Sequence, residues 1–334
     1  IQNSIRKLDQ NNGIGLGQYE ERETKEINEY QYLIITTSTY DRNFNPLLDF
    51  YLPRGLKTQV VTTDFIYANS SGVDNPEKIR NYIIQEYQNN GIEFVLLAGD
   101  VELVPARGFF CSVQSSSVYT DDNIPADLYY SSLDGNWNTD NDNLWGEIGE
   151  DDLLPEISVA RFSFSTSLEL TNMLNKTMSY QASPVLGELR DPLLIGEDLY
   201  DAPQTWGGDY MDLLVGLHTD NGYTTSGIPA AHNITTMYDR DAIWNETQLK
   251  AEMNNGHSFI HHDGHSNYTY NMRMTNSDVT NSTFSELNGT NHNYTIIYSS
   301  GCMSGGFDQE CIGEEFVKIE NLAAAYIGNS RYGW

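Results

Sequence analysis

The hydrophobic positions of this chain form short apolar runs separated by amphipathic segments, and the rhythm begins near residue 31. Runs rich in β-branched residues indicate buried strands, and the segments between them have the spacing of helices that cover a sheet. The first half predicts strands at 32–36, 58–62, 92–99 and 157–162, with helices at 45–54, 75–89 and 165–180. This alternation is typical of a parallel sheet with right-handed crossovers.

The same rhythm restarts after residue 183. It predicts strands at 193–196, 234–238, 257–262, 294–300 and 323–327, with helices at 209–221, 244–254 and 313–321. We therefore expect an α/β protein of two lobes with mainly parallel sheets flanked by helices. Residues 1–30 are predicted to be an arm or the remainder of a pro-segment, 31–183 the first subdomain and 184–334 the second.

Two of these strands end in residues that can carry chemistry. His265 follows the strand at 257–262, and Cys302 follows the strand at 294–300. Parallel neighbours end at the same edge of a sheet, so an imidazole and a thiol are expected side by side there. A nearby imidazole can take the thiol proton and later protonate a leaving amine, which is the arrangement of a cysteine protease.

Gly264-His265 after one strand and Cys302 after the next resembles the gingipain family, relatives of caspases and legumains. The similarity runs from roughly residue 32 to residue 334 and implies a caspase-like α/β fold. One position departs from the family pattern, since Ser266 stands where gingipains have glycine. The resemblance implies that the backbone N–H groups of Ser266 and Cys302 receive the oxyanion.

The resemblance also suggests the remaining parts of a protease site. Glu197 matches the glutamate that hydrogen-bonds the catalytic histidine, and Asp209 matches the aspartate at the base of the pocket in gingipains of arginine specificity. With Trp206 and Trp334 as walls, Asp209 is expected to bind a P1 Arg or Lys. The expected substrates are therefore proteins or peptides with basic residues.

Charge narrows the possible partners. The chain has 47 acidic and 18 basic residues, a formal net charge of −29, which disfavours nucleic acid and anionic membranes and favours cationic partners. No apolar run approaches the length of a membrane helix.

An extracellular or cell-surface location is expected. The chain contains eight glycosylation sequons, which are permissive of a secreted glycoprotein, although several would arise by chance in so Asn-rich a chain. They begin at Asn69, Asn175, Asn233, Asn245, Asn267, Asn281, Asn288 and Asn293. Three cysteines cannot all pair within the chain. With Cys302 as the free nucleophile, Cys111 and Cys311 are left as a possible disulfide.

An acidic loop follows the third predicted strand. Its oxygen-bearing residues recur at a two-residue spacing that suits calcium, with a glutamate to close the shell. These candidate ligands are Asp134, Asn136, Asn138, Asp140, Asp142 and Glu147. The resemblance to gingipains implies calcium dependence as well. A solvated turn is the alternative interpretation.

Two other function classes fit parts of the sequence. His257, His261, His262 and His265 crowd nine residues, a density that would suit a zinc hydrolase, although no His-Glu-x-x-His motif occurs. A catalytically inactive module that uses the acidic loop for calcium-dependent adhesion is the other alternative.

Related proteases continue with further helices that cover the same sheet. We therefore expect a second polypeptide from the same precursor, produced by proteolytic nicking after Trp334, to complete the catalytic lobe and pocket. Such nicking would suit activation of a zymogen.

Overall fold

The computed structural model describes residues 29–114, 117–220 and 222–333. Nearly all of the predicted arm at 1–30, as well as Trp334, lies outside these residues. Within them the chain forms two parallel sheets, each covered by helices, so the predicted α/β class is confirmed. None of the described helices is both long enough and apolar enough to cross a membrane.

The first sheet has four parallel strands in the order β2-β1-β3-β6. These strands are β1 Tyr32–Thr36, β2 Thr58–Thr62, β3 Phe94–Ala98 and β6 Ser158–Phe162. The accompanying helices are α1 Asn45–Tyr51, α2 Thr63–Asn69, α3 Asn75–Asn90, α4 Leu128–Ser131 and α5 Ser167–Ala182.

Local sequence signals set the helix boundaries in this lobe. The side chain of Asp74 accepts a hydrogen bond from the Glu77 N–H at the start of α3, and Gly91, at φ 65°, ends the helix. Thr166 and Glu169 form a reciprocal capping box at the start of α5. Apolar side chains of β1 and β3 are buried between the helices on both faces.

The second sheet has five parallel strands in the order β12-β7-β13-β16-β17. These strands are β7 Pro192–Gly196, β12 Thr235–Tyr238, β13 Phe259–Asp263, β16 Thr295–Ser299 and β17 Ala323–Gly328. The helices of this half are α6 Gly207–Asp212, α7 Glu246–Met253 and α8 Ile312–Lys318. β13 lies at the centre, between β7 and β16.

Each predicted strand is present within two residues of its expected bounds, but the predicted helix at 209–221 is wrong. The helix ends at Asp212, and Gly216, at φ 79°, redirects the chain into a β-hairpin. Val215 forms an isolated bridge with Ile228. The alternation Leu217, Thr219 suits a strand as well as a helix, and the glycine decides between them.

Four antiparallel hairpins were not predicted. They are β4 Arg107–Gln114 with β5 Val118–Ala126, β8 Asp198–Asp201 with β9 Gln204–Trp206, β10 Leu217–Asp220 with β11 Tyr223–Ser226, and β14 Tyr270–Asn271 with β15 Met274–Thr275. Their strands are short or contain many polar residues, so they lack the apolar alternation that marks a half-buried strand.

Polar contacts join the two halves of the structure. Lys176 of α5 is buried and donates to the backbone carbonyls of Val317 and Asn321 near the end of α8. Burial lowers the pKa of Lys176 to about 7. The carbonyl end of α8 is a favourable site for the Lys176 ammonium group. In a second contact between the two halves, Ser163 donates to the buried carboxylate of Glu314 at the start of α8.

A buried ion pair fixes the edge of the first sheet. Arg161 of β6 binds Asp127 through two hydrogen bonds of 2.7 Å, and its guanidinium also donates to the carbonyls of Gly99 and Val104. The Arg161 side chain is 7% exposed, against 19% for Asp127. Removal of the carboxylate would leave a charged guanidinium in a nearly dry environment.

Asp127→Ala is expected to lower the free energy of unfolding by about 3–5 kcal/mol, because Arg161 then remains charged and buried without a partner. Urea denaturation measures the change. The double variant Asp127→Ala, Arg161→Met should be more stable than Asp127→Ala alone. Asp241→Ala, at an exposed ion pair, is the matched control and should cost less than about 1 kcal/mol. Equal losses in the two single variants would contradict this account.

Candidate active site

The predicted histidine and cysteine lie in two loops at one edge of the second sheet. β13 and β16 are hydrogen-bonded in parallel, with His262 opposite Ser299, and the chain leaves both strands in the same direction. The Ser300 N–H donates to the His262 carbonyl at 2.9 Å, which continues the pairing one step beyond the strand. Ser266 then donates from its hydroxyl to the Cys302 carbonyl at 2.6 Å. This hydrogen bond joins the histidine loop directly to the cysteine loop.

The close approach of the loops requires glycine at two positions. A Cβ at Gly301 would overlap the Ser266 hydroxyl, and a Cβ at Gly264 would overlap His262 Nε2 and the Glu197 carboxyl group. Each glycine directly precedes a predicted catalytic residue. The absence of a side chain therefore lets His265 and Cys302 lie on loops in contact.

The His265 imidazole is exposed, and its ring makes one hydrogen-bond contact with the described residues. Its Nε2 lies 3.2 Å from the Leu199 carbonyl, which can only accept a hydrogen bond. Nε2 therefore carries the hydrogen in neutral His265, and Nδ1 is left with a free lone pair. A depression of ≈ 260 Å³ adjoins the ring, lined by His265 and residues 198–201.

The Cys302 thiol is half-buried and contacts the carbonyl of Gly333 at 3.8 Å. Among the described residues, the backbone N–H groups of Ser266 and Cys302 have no acceptor in the protein. Both predicted oxyanion donors are therefore free to bind a substrate oxygen. The Ser266 side chain does not block its own N–H, because it is directed at Cys302.

Glu197 contacts the backbone of His265 and not its imidazole. Oε2 accepts from the His265 N–H at 3.0 Å, while Oε1 lies 3.4 Å from His262 Nε2 and 3.8 Å from Arg273 Nε. In this structure the Leu199 carbonyl, which sequence reasoning missed, holds the imidazole, and the glutamate holds the loop. No sequence signal marks a backbone carbonyl for such a role.

The pKa of the buried Glu197 carboxyl is nevertheless low. Burial alone would raise this pKa, but His262, the His265 N–H and Arg273 together lower it below its ordinary value. A carboxylate therefore persists beneath the loop at neutral pH.

Asp209 lies on α6 in an exposed cluster of charges. Arg240 Nη1 lies 2.5 Å from Asp209 and 2.9 Å from Asp212, and Arg240 Nε lies 3.1 Å from Asp241. The carboxylate expected to bind a basic substrate residue is thus paired with an arginine of its own chain. Asp209 does not line the depression beside His265.

The two tryptophans predicted as pocket walls differ in what the structure describes. Trp206 ends β9, is half-buried and pairs with Asp198, a residue of the depression. Trp334 lies outside the described residues. The role of both as walls stays a prediction.

The acidic loop divides the predicted calcium ligands into two groups. Carboxylate oxygens of Asp140, Asp142 and Glu147 lie within 4.8 Å of one another, whereas Asp134 forms a separate group with Asp152 and Glu156. In the first group, desolvation and then repulsion from the neighbouring carboxylates raise the pKa of Glu147.

Two of the predicted ligands in this loop are amides. Asn138 is buried, and its Oδ1 has no hydrogen-bond partner among the described residues. Asn136 lies between the two groups in sequence. Hard oxygen donors of this kind suit calcium.

The four crowded histidines have different partners. His257 contacts Glu252 at 3.0 Å, His261 packs on the Tyr298 ring, and His262 contacts Ser299 at 2.9 Å. In the described part of the chain the candidate metal groups contain carboxylates and no histidine. The geometry therefore does not support the zinc alternative.

The three cysteines are free thiols, so the possible disulfide between Cys111 and Cys311 is not formed in this structure.

Comparison with known proteins identifies the family of this chain. A family model described as peptidase family C25 matches residues 26–334. This chain belongs to peptidase family C25. Lys-gingipain HG66 of Porphyromonas gingivalis is 24% identical over an alignment of 310 residues that covers 89% of this chain and 15% of that protein. An uncharacterized protein of Archaeoglobus fulgidus is 22% identical over an alignment of 309 residues that covers 84% of this chain and 67% of that protein.

Solved structures show the same fold. The crystal structure of the Arg-specific cysteine proteinase gingipain R is similar with a TM-score of 0.66 at 18% identity, and the match covers 95% of this chain and 66% of that one. The complex of the Porphyromonas gingivalis pro- and mature domains has a TM-score of 0.62. The predicted gingipain-like fold is confirmed, and the chain spans about 15% of the length of the Lys-gingipains that it matches.

Glu197→Gln is expected to remove a pH-dependent part of stability. Because the folded pKa of Glu197 is lowered, its contribution is complete above the unfolded pKa of about 4.3 and is lost as pH falls through the folded value. The difference in unfolding free energy between wild type and variant should therefore shrink as pH falls below about 5. Thermal or urea unfolding at several pH values measures it. A difference that grows on acidification would contradict the lowered pKa.

Proposed function

We propose that this C25 family member is a cysteine endopeptidase with Cys302 as nucleophile and His265 as general acid and base. The observation that supports this most directly is the 2.6 Å hydrogen bond from Ser266 to the Cys302 carbonyl, which holds the two loops together. Both loops continue neighbouring parallel strands, a rigid support for reacting groups. Family membership supports a cysteine peptidase independently of this contact.

The geometry suggests how the proton moves. The Leu199 carbonyl holds Nε2–H, so Nδ1 of His265 is the atom that takes the proton of Cys302. The thiolate attacks the scissile carbonyl, and the resulting oxyanion binds the N–H groups of Cys302 and Ser266. Nδ1–H then protonates the leaving amine, and water hydrolyses the thioester with His265 as base.

Cys302→Ala should abolish peptide hydrolysis, and His265→Ala should reduce kcat/KM nearly as far, because the two groups act as a unit. Cleavage of a fluorogenic peptide library measures both. Cys111→Ala, which removes a half-buried thiol outside the site, is the matched control and should keep wild-type turnover.

An active-site titration separates this proposal from the inactive adhesion module. A peptidyl chloromethylketone should label Cys302 and leave Cys111 unmodified, as intact-mass analysis would show. Wild-type turnover in purified Cys302→Ala, or an unlabelled Cys302, would contradict the assignment.

We also propose that the preferred P1 residue is Arg or Lys. The gingipain resemblance at Asp209 supports this preference. The contact with Arg240 also supports it, because the Asp209 carboxylate there binds a guanidinium group, the group that a P1 Arg would present. Asp198 and Asp201 add negative charge beside His265. For Asp209 to bind the substrate, Arg240 must release it and remain with Asp212 and Asp241.

Asp209→Asn is expected to reduce kcat/KM for a P1-Arg substrate by about 10²-fold, because a bidentate charged contact is lost, and to leave a P1-Leu substrate nearly unchanged. Asp49→Asn, which removes an exposed carboxylate on α1 beside the first sheet, is the matched control and should leave both substrates unchanged. Equal losses on both substrates would exclude Asp209 from the pocket.

Calcium is the metal that the acidic loop fits best, and we propose that Asp140, Asp142 and Glu147 hold it. Three carboxylates within 4.8 Å repel one another unless a cation lies between them. The Oδ1 of buried Asn138, for which the described part of the chain offers no hydrogen-bond partner, adds a polar oxygen in the same loop. A bound ion would neutralise the loop and stabilise the folded state.

Calcium at millimolar concentration should raise the melting temperature of wild type, because an ion bound only by the native loop stabilises it by mass action. Asp140→Ala with Asp142→Ala should erase the shift. Asp151→Ala, a nearby acid outside both carboxylate groups, should retain it. Differential scanning calorimetry after chelation measures the effect, and a wild-type melting temperature independent of calcium would refute the site.

We propose an extracellular or cell-surface location. Exposed sequons such as that at Asn267 can accept a glycan, whereas the Asn293 amide is buried and donates to Val185 and Glu188. The sequon at Asn293 is therefore not a glycosylation site in the folded protein. The second polypeptide of the same precursor stays a prediction.

A further inference from the structure

We propose that His262 is a positioning residue that couples the loop of His265 to the loop of Cys302. The inference rests on the proposed function, since positioning has a purpose only if these two residues react together. His262 lies three residues before His265 along the chain, inside the sheet, and is fully buried. It contacts no substrate and acts only through the loops.

One link runs from His262 to the cysteine loop through Ser299. His262 Nδ1 lies 2.9 Å from Ser299 Oγ, and the Gly301 N–H donates to the same oxygen at 3.1 Å. Asn271 Nδ2 also donates to it, at 2.8 Å. Gly301 directly precedes Cys302, so Ser299 holds the backbone from which the nucleophile projects.

The hydrogen bonds of Ser299 suit an acceptor at His262 Nδ1. A hydroxyl has two lone pairs and one hydrogen, and here the Gly301 N–H and the Asn271 amide donate to the Ser299 oxygen. In the proposed arrangement the hydrogen of Ser299 is directed to His262 Nδ1, and the hydrogen on His262 Nε2 faces Glu197. The Tyr326 hydroxyl is a further neighbour of Ser299.

The second link runs from His262 to the histidine loop through Glu197. His262 Nε2 faces Glu197 Oε1 at 3.4 Å, and neither atom has a closer polar partner among the described residues. The other oxygen of Glu197 accepts from the His265 N–H at 3.0 Å. A distance of 3.4 Å is long for a hydrogen bond. The interaction is therefore an electrostatic attraction between the His262 N–H dipole and the Glu197 carboxylate, which is strong because the site is buried.

Burial makes these links hard to replace. Ser299 and Asn271 are buried, as are Glu197 and His262, so water cannot substitute for a lost partner without rearrangement. Other charged groups near this network are Asp263, which interacts with His262 and Glu197, and the pair of Arg273 with Asp239 at 2.5 Å. A side chain at Gly264 would separate His262 from Glu197.

The two links can be cut separately by amide side chains. In His262→Asn, the Oδ1 can still accept from Ser299, but no group reaches Glu197. In His262→Gln, the Nε2 can still donate to Glu197, but the acceptor for Ser299 is lost. His261→Gln is the matched control, because His261 is the neighbouring residue on the opposite face of β13 and packs on Tyr298.

Amide hydrogen exchange with residue-level resolution measures the links without reference to activity. His262→Asn should speed exchange mainly at His265, His262→Gln mainly at Gly301, and His262→Ala at both. In parallel, kcat should fall by about 10²-fold in His262→Ala with KM nearly unchanged, because misplacement of reacting groups affects the chemical step. His261→Gln should match wild type in exchange and in kcat.

If His262→Ala fails to fold, the Asn and Gln variants decide the question. Identical exchange patterns in those two variants, or unchanged exchange at both amides, would overturn the coupling role even if wild type is an active peptidase. If the variants show the expected exchange patterns but the wild type hydrolyses no library peptide, the proposed function is refuted and the two backbone links remain established.

An increased KM with unchanged kcat in both variants would also overturn the positioning role.

Discussion

The parallel pairing of β13 with β16 is the constraint on which the candidate site depends. The pairing sets His262 opposite Ser299 and directs both chains out of the sheet at the same edge. Central strands of a parallel sheet are buried on both faces and cannot shift without moving the core. The loops that follow them therefore start from fixed points, and a single hydrogen bond between Ser266 and Cys302 is enough to join them.

The edge of this sheet is built with buried polar groups where the rest of the core is apolar. Glu197, His262 and Ser299 are nearly free of solvent, and each contacts the backbone or side chain of another loop residue. Buried polar groups cost free energy unless they are partnered, so such a network permits few alternative arrangements. The same property suits a site in which two reacting groups must be held in register.

The acidic and basic side chains of this protein occupy different places in the structure. Several arginines are taken up in specific contacts, as with Arg161 between Asp127 and two carbonyls, or Arg331 between Asp121 and Asp308. Many carboxylates remain near the surface, and some gather in the acidic loop and beside His265. A negative surface potential of this kind attracts cations.

By itself, the sequence determined the strands, the two-sheet organisation and the position of His265 and Cys302 on loops at the same edge of the second sheet, because apolar runs and parallel strand order are local or topological properties. It did not determine where the chain turns back at Gly216, since Leu217 and Thr219 suit a helix or a strand. Only the tertiary structure decided that Glu197 holds the backbone of His265 and that Leu199 holds its ring. Such contacts depend on side-chain rotamers and loop paths over a few ångströms, and these are set by packing between segments distant in sequence.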